Sequence, residues 1–111
     1  SNRLQEAINT YRQTDKFPSN YMAMAWCHRR LKQYNEALVL YNQVVSVESH
    51  APSAAYEIGE TYEEAGKKEQ AIRSFQRVCK QYPKTGHASR AHAHLQNKYN
   101  ITVTLGGAKD E

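Results

Sequence analysis

Residues 55–83 read AYEIGETYEEAGKKEQAIRSFQRVCKQYP, and residues 21–49, one period of 34 earlier, read YMAMAWCHRRLKQYNEALVLYNQVVSVES. Matching apolar, small and aromatic residues recur at this period: Met24-Ala25, Ala37 and Tyr41 return as Ile58-Gly59, Ala71 and Phe75. A helix pair of this length cannot bury its apolar face alone, so it must stack on a copy of itself. The period therefore predicts an all-α fold, a right-handed α-solenoid of antiparallel helix pairs.

Apolar residues at helical spacing predict about six helices. We expect the second helix of an incomplete repeat at 1–16, full repeats at 17–51 and 52–85, a terminal capping helix at 86–100, and an irregular tail at 101–111. The tail should pack across the last helix and then fray. Since residues 1–16 supply only half of a pair, we expect the chain to be part of a longer protein.

Several residues predict where helices begin and end. Pro52 suits a first turn, where its missing N–H would be unpaired anyway. Gly66 suits the left-handed residue that closes a helix, whereas the matching Lys32 adopts that conformation at greater cost. Thr85 is a plausible N-cap for the sixth helix. The third helix is expected to run from about Tyr34 to Val47.

Composition excludes several classes of protein. Fifteen Lys and Arg against eleven Asp and Glu give a net charge of +4, which is well below a polybasic nucleic-acid signature. No apolar run approaches the roughly 20 residues that a membrane span requires. Cys27 and Cys79 lie on apolar helix faces and are expected to be small buried hydrophobes.

This pattern resembles the tetratricopeptide repeat, whose unit reads W-x2-L-G-x2-Y, then A-x3-F, then P. The later copy supplies the signature residues Ala55, Ile58, Gly59, Tyr62, Ala71, Phe75 and Pro83. The earlier copy supplies Tyr21, Met24, Ala25, His28, Ala37 and Tyr41, with Ser49 in place of the proline. The resemblance implies a helical scaffold that binds another protein.

The run Gln81-Tyr82-Pro83-Lys84-Thr85, followed by Ala88 and Ala91, is similar to bacterial envelope members of this family, which act beside outer-membrane and cell-division machinery. The similarity leaves the location open between the bacterial periplasm or cell envelope and the cytoplasm.

In the family, the first helix of each pair lines the concave face, and the resemblance implies a peptide-binding site there. The candidate residues avoid the apolar stripes, so their side chains are expected to reach solvent or a partner. They are Met22, Trp26, Arg29, Arg30, Tyr56, Glu57, Glu60, Glu64, Arg90 and His94. Trp26 is the strongest candidate because an amphipathic aromatic makes a good anchor, although it could instead pack against the first helix. The acids Glu57, Glu60, Glu63 and Glu64 could receive a basic peptide or pair with Arg29, Arg30 and Arg90 on neighbouring helices.

No residue pattern indicates catalysis, a cofactor or a metal. His87 and His94 are two turns apart and lack a companion Cys or Asp. His28 and His92 are expected to fill core positions as neutral, hydrogen-bonded rings. The Lys and Asn clamp with which some relatives hold a carboxylate terminus is missing from the second and fourth helices. We therefore expect a protein that is not an enzyme.

Three functions remain open. The first is an interaction module that binds a peptide segment of another protein in its concave groove. The second is self-assembly, in which the uncovered edge of the first helix forms a homo-oligomer. The third, RNA binding, would use the positive charge and the aromatics, but the inner glutamates argue against it, and no nucleic acid is expected as a partner.

Overall fold

The structure is a computed structural model and describes residues 2–13 and 16–103. This part of the chain contains six α-helices and no strand. The helices are α1 (Asn2–Arg12), α2 (Ser19–Arg30), α3 (Tyr34–Val44), α4 (Ala51–Glu64), α5 (Lys68–Gln81) and α6 (Gly86–Tyr99). The all-α helical repeat is confirmed. None of the helices in these two ranges is long and apolar enough to cross a bilayer.

Each helix packs mainly on its neighbours in the chain. The pairs α2–α3 and α4–α5 are the two helical hairpins, α1 packs on α2, and α6 packs on both α5 and α4. Three apolar clusters fill the spaces between them, centred on Ile8, on Tyr41 and on Phe75. The clusters are arranged along a molecule of 46 × 28 × 17 Å, as expected when every helix pair buries its apolar side on the next.

The residues at the beginnings and ends of the helices behave as the sequence predicts. Gly66 and Lys32 are both left-handed, with φ of 78° and 62°, and they end the two first helices of the hairpins. Pro52 lies in the first turn of α4. The Thr85 hydroxyl accepts a hydrogen bond from the backbone N–H of Ala88 at 3.1 Å, which caps α6. One backbone conformation therefore recurs at both hairpin turns, and the lysine adopts it despite its side chain.

The third helix is shorter than the prediction, which extended it to Val47. α3 ends at Val44, and the chain then tightens, because the Val47 N–H bonds to the carbonyl three residues earlier at 2.8 Å. Val45 still packs on the Tyr41 cluster. The apolar pattern therefore continues past the end of α3, because side chains in the following turn also point into the core. This is why the pattern predicted a longer helix.

The residues after α6 pack as expected, as far as they are described. Asn100 is left-handed and closes α6. Val103 is buried in the Phe75 cluster, and Ile101 packs against the same cluster. The rest of the predicted tail, 104–111, lies outside the described residues, as does the part of the first predicted segment at 14–15.

Gly59 of α4 lies directly against the Phe75 ring of α5. A Cβ atom on Gly59 would lie 2.7 Å from Cε1 and 2.9 Å from Cδ1 of the Phe75 ring, which is fully buried. The matching contact one repeat earlier has Ala25 and Tyr41, both fully buried in one cluster. Glycine is therefore required in the later repeat for steric reasons, and not for backbone freedom.

Gly59→Ala should destabilise the protein by about 1–3 kcal/mol, because the added methyl displaces a ring that has no free space to move into. Helix propensity alone would stabilise by up to about 1 kcal/mol, so the sign of the change separates the two effects. Urea unfolding measures it. Gly86→Ala at the start of α6 is the matched control, since no neighbouring atom in the described ranges lies within 4 Å of the place that its new Cβ would occupy. Equal midpoints for the two variants would contradict the close approach.

Candidate functional site

The face that α2, α4 and α6 share, which we call the inner face, is organised around the side chain of Arg29. This side chain lies in the last turn of α2 and is 8% exposed. Its Nε and Nη2 atoms donate to the two carboxylate oxygens of Glu64 at 3.2 and 2.5 Å. Nη1 donates to Glu57 at 3.1 Å, and Glu60 lies 3.7 Å from Nη2. One guanidinium from the first hairpin therefore holds three carboxylates of the second.

Tyr41 extends this network into the core. Its ring is fully buried on α3, and its hydroxyl donates to Glu57 Oε1 at 2.8 Å and accepts from Arg29 Nη1 at 3.3 Å. Burial, followed by the negative charge of Glu57, raises the pKa of the tyrosine. Burial lowers the Arg29 pKa, but the hydrogen bonds to Glu64 and Tyr41 and the negative charge of Glu64 outweigh it, so the pKa is raised above its ordinary value. Both groups therefore keep their protons at neutral pH.

The three carboxylates outnumber the single guanidinium beside them. Burial raises the pKa of Glu60 above its ordinary value, and the charges of Glu57 and Glu64 act in the same direction against those of Arg29 and Arg90. The exposed fractions of the three side chains increase from Glu57 to Glu64, at 27%, 36% and 44%. An incoming cation would therefore find partly solvated carboxylates that one arginine does not neutralise.

Trp26 lies on the same helix as Arg29, on a position that faces solvent. It is 49% exposed, and the Arg30 guanidinium lies over its ring at 5.6 Å from the centroid. Met22, one turn earlier, is half-buried against the Tyr41 cluster. Trp26 is in none of the three apolar clusters of the described residues. Half of a large amphipathic ring is therefore open to a partner.

Tyr56 departs from the expectation that the inner positions reach solvent. Its ring is 7% exposed and packs on Phe75 at 5.2 Å between centroids. The Arg90 guanidinium of α6 also lies over the ring, at 4.6 Å from its centroid. Burial, followed by the charge of Glu60, raises the pKa of Tyr56. The tyrosine therefore joins α4 to α5 and α6 as part of the core.

A second polar cluster joins α4 to α6. Glu63 Oε2 accepts a hydrogen bond from the Tyr99 hydroxyl at 2.5 Å and lies 2.7 Å from His94 Nε2 and 3.3 Å from Lys98 Nζ. Burial alone would raise the pKa of Glu63, but the hydrogen bonds from Tyr99 and His94 and the charges of His94 and Lys98 hold it below its ordinary value. Burial and the Glu63 carboxylate raise the Tyr99 pKa to about 12.

The structure divides the ten candidate residues by their access to solvent. Trp26, Arg30, Glu64 and Arg90 are exposed, and Met22, Glu57, Glu60 and His94 are half-buried. Two expectations are wrong: Arg29 and Tyr56 are buried, Arg29 because three carboxylates and a tyrosine surround it, and Tyr56 because Phe75 and Arg90 cover it. Of the arginines expected to pair with these carboxylates, Arg29 pairs with all three, while Arg30 and Arg90 lie over aromatic rings.

The two histidines that were expected in the core behave differently from each other. His28 lies in the core and its Nδ1 is 2.7 Å from Gln33 Oε1, as the sequence predicts. His92 is only half-buried, so the expectation of a core position is wrong, and its buried Nδ1 has no hydrogen-bond partner in the described part of the chain. It lies on α6, where no following helix supplies a polar group in the described residues.

Sequence reasoning did not select Tyr41 or Tyr99 for the polar clusters, and it expected Glu63 to meet an arginine or a basic peptide, whereas Glu63 lies beside His94, Lys98 and Tyr99. Tyr41 was assigned only to the core, yet its position is the one where the later repeat has Phe75. The sequence signal was the tyrosine itself, because a buried hydroxyl at a position where the other repeat has phenylalanine needs a hydrogen-bond partner. Within the described residues, no group of three His, Cys, Asp or Glu side chains could hold a metal ion.

Comparison with known proteins identifies the repeats. A family model described as the tetratricopeptide repeat matches residues 19–47 and 53–85, which together are more than half of the chain. The two matched segments contain most of the α2–α3 and α4–α5 hairpins. Searches of curated proteins and of solved structures find no match.

Arg29→Met should destabilise the protein by about 1–3 kcal/mol at pH 7, because three carboxylates then lose their shared donor and repel one another. The deficit should shrink as the pH falls towards about 4, where protonation relieves that repulsion. Thermal or urea unfolding at both pH values measures this. Arg30→Met is the matched control, because the neighbouring arginine is exposed and makes no ion pair that the structure records among the described residues. A similar loss for both variants would contradict the network.

Glu60 and Glu63 should change the acid dependence of stability in opposite directions. The folded-state pKa of Glu63 is lowered from 4.5, so its contribution is present above the unfolded-state value and is lost as the pH falls through that range. The folded-state pKa of Glu60 is raised from 4.5, so its ionisation disfavours folding as the pH rises above that value. Glu63→Gln should therefore cost roughly 1–2 kcal/mol at pH 7 and much less at about pH 3.5, whereas Glu60→Gln should cost little at pH 7. Unfolding curves across this pH range check both, and the same pH profile for the two variants would contradict the assignment.

Proposed function

Because the chain belongs to the tetratricopeptide repeat family, whose members are generally protein–protein interaction modules on a non-catalytic scaffold, we propose that it is a non-catalytic scaffold that binds a peptide segment of another protein along the inner face. The segment lies across α2 and α4. Its anchor residue contacts Trp26, and its charged residues meet the carboxylates of α4.

The exposure of Trp26 is the observation that carries this proposal. A tryptophan side chain that is 49% exposed leaves apolar surface in water, and burying that surface against a partner is favourable. Tryptophan is also among the residue types most enriched at the energetic centres of protein interfaces. The neighbouring Met22 offers an adaptable apolar side chain on the same helix face. The inner face thus has an apolar anchor point that is half open to a partner.

Charge selects the kind of peptide. Glu57, Glu60 and Glu64 share one buried guanidinium, so Arg29 by itself balances one of their three negative charges, and the charge of Arg90 also acts on Glu60. Arg30 and Arg90 are held over aromatic rings. A peptide with one or two bulky apolar residues and a nearby Lys or Arg matches the anchor and the carboxylates. The apolar contact supplies most of the affinity, and the charges mainly steer association.

Self-assembly through α1 has less support. The apolar residues Leu4, Ala7 and Ile8 already belong to the cluster between α1 and α2. The exposed residues of α1 are polar apart from Tyr11, which is 38% exposed. A homo-oligomer on this edge would therefore bury mostly polar surface. RNA binding at the inner face is disfavoured by the same carboxylates that favour a basic peptide.

Trp26→Ala should weaken binding of an inner-face peptide by about 2 kcal/mol or more, because truncation removes the anchor. The peptides are obtained by selecting a displayed random library on the wild-type chain, and isothermal titration then compares the variants. Val39→Ala is the matched control, since Val39 is also an exposed apolar residue, at 58%, but lies on α3. Glu60→Gln should slow association and lessen its salt dependence, and Glu69→Gln on α5 is its control.

Equal affinities for wild type, Trp26→Ala and Glu60→Gln would contradict an inner-face site. Circular dichroism and unfolding midpoints confirm that each variant is folded. Trp26→Ala should leave stability nearly unchanged, because the side chain is in none of the apolar clusters of the described residues.

A further inference from the structure

The outer face of α5 has a row of positive charges that takes no part in the inner face. Arg73, Arg77 and Lys80 follow one another at spacings of four and three residues, so they lie on one side of the helix. All three are exposed, and together with Gln76 and Gln81 they line a shallow depression. We call these three residues the outer stripe. α5 has four basic residues beside Gln76 and Gln81, and its acidic residue is Glu69.

The repeat supplies an internal comparison for the outer stripe. One period earlier, the matching positions hold Val39, Gln43 and Ser46, and α3 contains no basic residue at all. Both hairpins nevertheless form the same helix pair with the same core positions. The architecture therefore does not require a cation at any of these three places.

Two charges of the outer stripe, Arg73 and Arg77, are weakly engaged within the described part of the protein. Arg73 lies 4.0 Å from Glu69, and these side chains are 72% and 84% exposed. Such a pair contributes little to stability and is easily exchanged for a better partner. The structure records no hydrogen bond or ion pair for Arg77 among the described residues.

A second depression adjoins the stripe and has an apolar floor. It lies between α3, α4 and α5 and is lined by Asn42, Val45, Ala55, Ile58, Ser74 and Arg77. Arg77 borders both depressions. A partner side chain that enters the apolar depression would therefore lie next to the positive charges of the outer stripe. The outer face therefore combines a small apolar recess, amide groups and a short row of cations.

We propose that this outer face is a second protein-binding surface, which takes an acidic segment of another protein. Two or three Asp or Glu side chains of the segment pair with the outer stripe, and an aliphatic side chain enters the recess beside Arg77. Charge complementarity identifies the partner, because the stripe offers only donors and positive charge. The chain would then join a basic segment on its inner face to an acidic segment on its outer face.

Nucleic acid and membrane fit this surface less well. The exposed large apolar and aromatic residues of the described chain are Tyr11, Phe17, Trp26 and Val39, and none of them lies on α5. Single-stranded RNA binding needs exposed aromatic rings on which bases stack, and membrane-surface binding needs an exposed apolar helix face. The described part of α5 offers basic residues without either of these.

Peptides that bind the outer face are selected from a displayed random library on the wild-type chain, with the inner face blocked by an excess of an inner-face peptide. If no inner-face peptide exists, the selection uses the Trp26→Ala variant. Enriched peptides should have at least two Asp or Glu near an aliphatic residue. The variant Arg73→Gln/Arg77→Gln/Lys80→Ser, which uses neutral residues like those of the earlier repeat, should bind them about tenfold more weakly. Its unfolding midpoint should stay close to that of the wild type, because the earlier repeat tolerates neutral residues there.

The matched control neutralises three basic residues elsewhere: Arg3→Gln, Arg12→Gln and Lys16→Gln. This variant has the same net charge as the outer-stripe variant and should keep the wild-type affinity. Equal weakening by both variants would overturn the proposal, since only net charge would then matter. A library that yields no acidic peptide dependent on the stripe would also overturn it. So would stripe-dependent binding of oligouridine, or of phosphatidylglycerol vesicles, in place of such peptides. Failure of the inner-face test would leave these results unaffected.

Discussion

Burial of one aromatic ring in each hairpin, against a small residue on the paired helix, is the contact on which the structure depends. Phe75 meets Gly59, and Tyr41 lies in one cluster with Ala25. A helix pair has too little apolar surface to fold alone, so these rings must also contact the next pair. Through Tyr56, the Phe75 ring is connected to Arg90 of α6. The spacing of the helices, and hence the shape of the inner face, follows from the size of the residues at these contacts.

The same contact links the core to the inner face in one hairpin only. Tyr41 has a hydroxyl where Phe75 has none, and this hydroxyl donates to Glu57. Arg29 forms ion pairs with Glu57, Glu60 and Glu64 of the next hairpin. A buried guanidinium with several acceptors holds the hairpins in register, although its charge also has to be desolvated. The arrangement fixes the carboxylates in place and leaves part of each one accessible.

The fold could be predicted from the sequence because it rests on a period, and each position is tested by its counterpart 34 residues away. Lys32 and Gly66 follow the ends of α2 and α4, and Thr85 caps the start of α6. The backbone requirements at helix ends are local, so these residues could be predicted from the sequence. Arg29 and Tyr56 were misplaced because helical periodicity assigns a face to a residue but not the direction of a long side chain. Arg29 reaches into the gap between two hairpins, and its acceptors lie about one repeat further along the chain. The buried Nδ1 of His92 has no hydrogen-bond partner in the described residues, and helical spacing alone does not show which polar groups surround a ring.

The central claim is that a protein segment occupies the face of α2 and α4. Titration of a library-selected peptide into the isotope-labelled chain, followed by two-dimensional nitrogen–proton NMR, tests it most directly. The claim requires the largest shifts at the Trp26 indole N–H and at backbone amides on the exposed sides of α2 and α4, with smaller shifts on α6. Shifts concentrated on α1 and an unmoved indole signal would contradict it, since the segment would then bind the edge of the first helix.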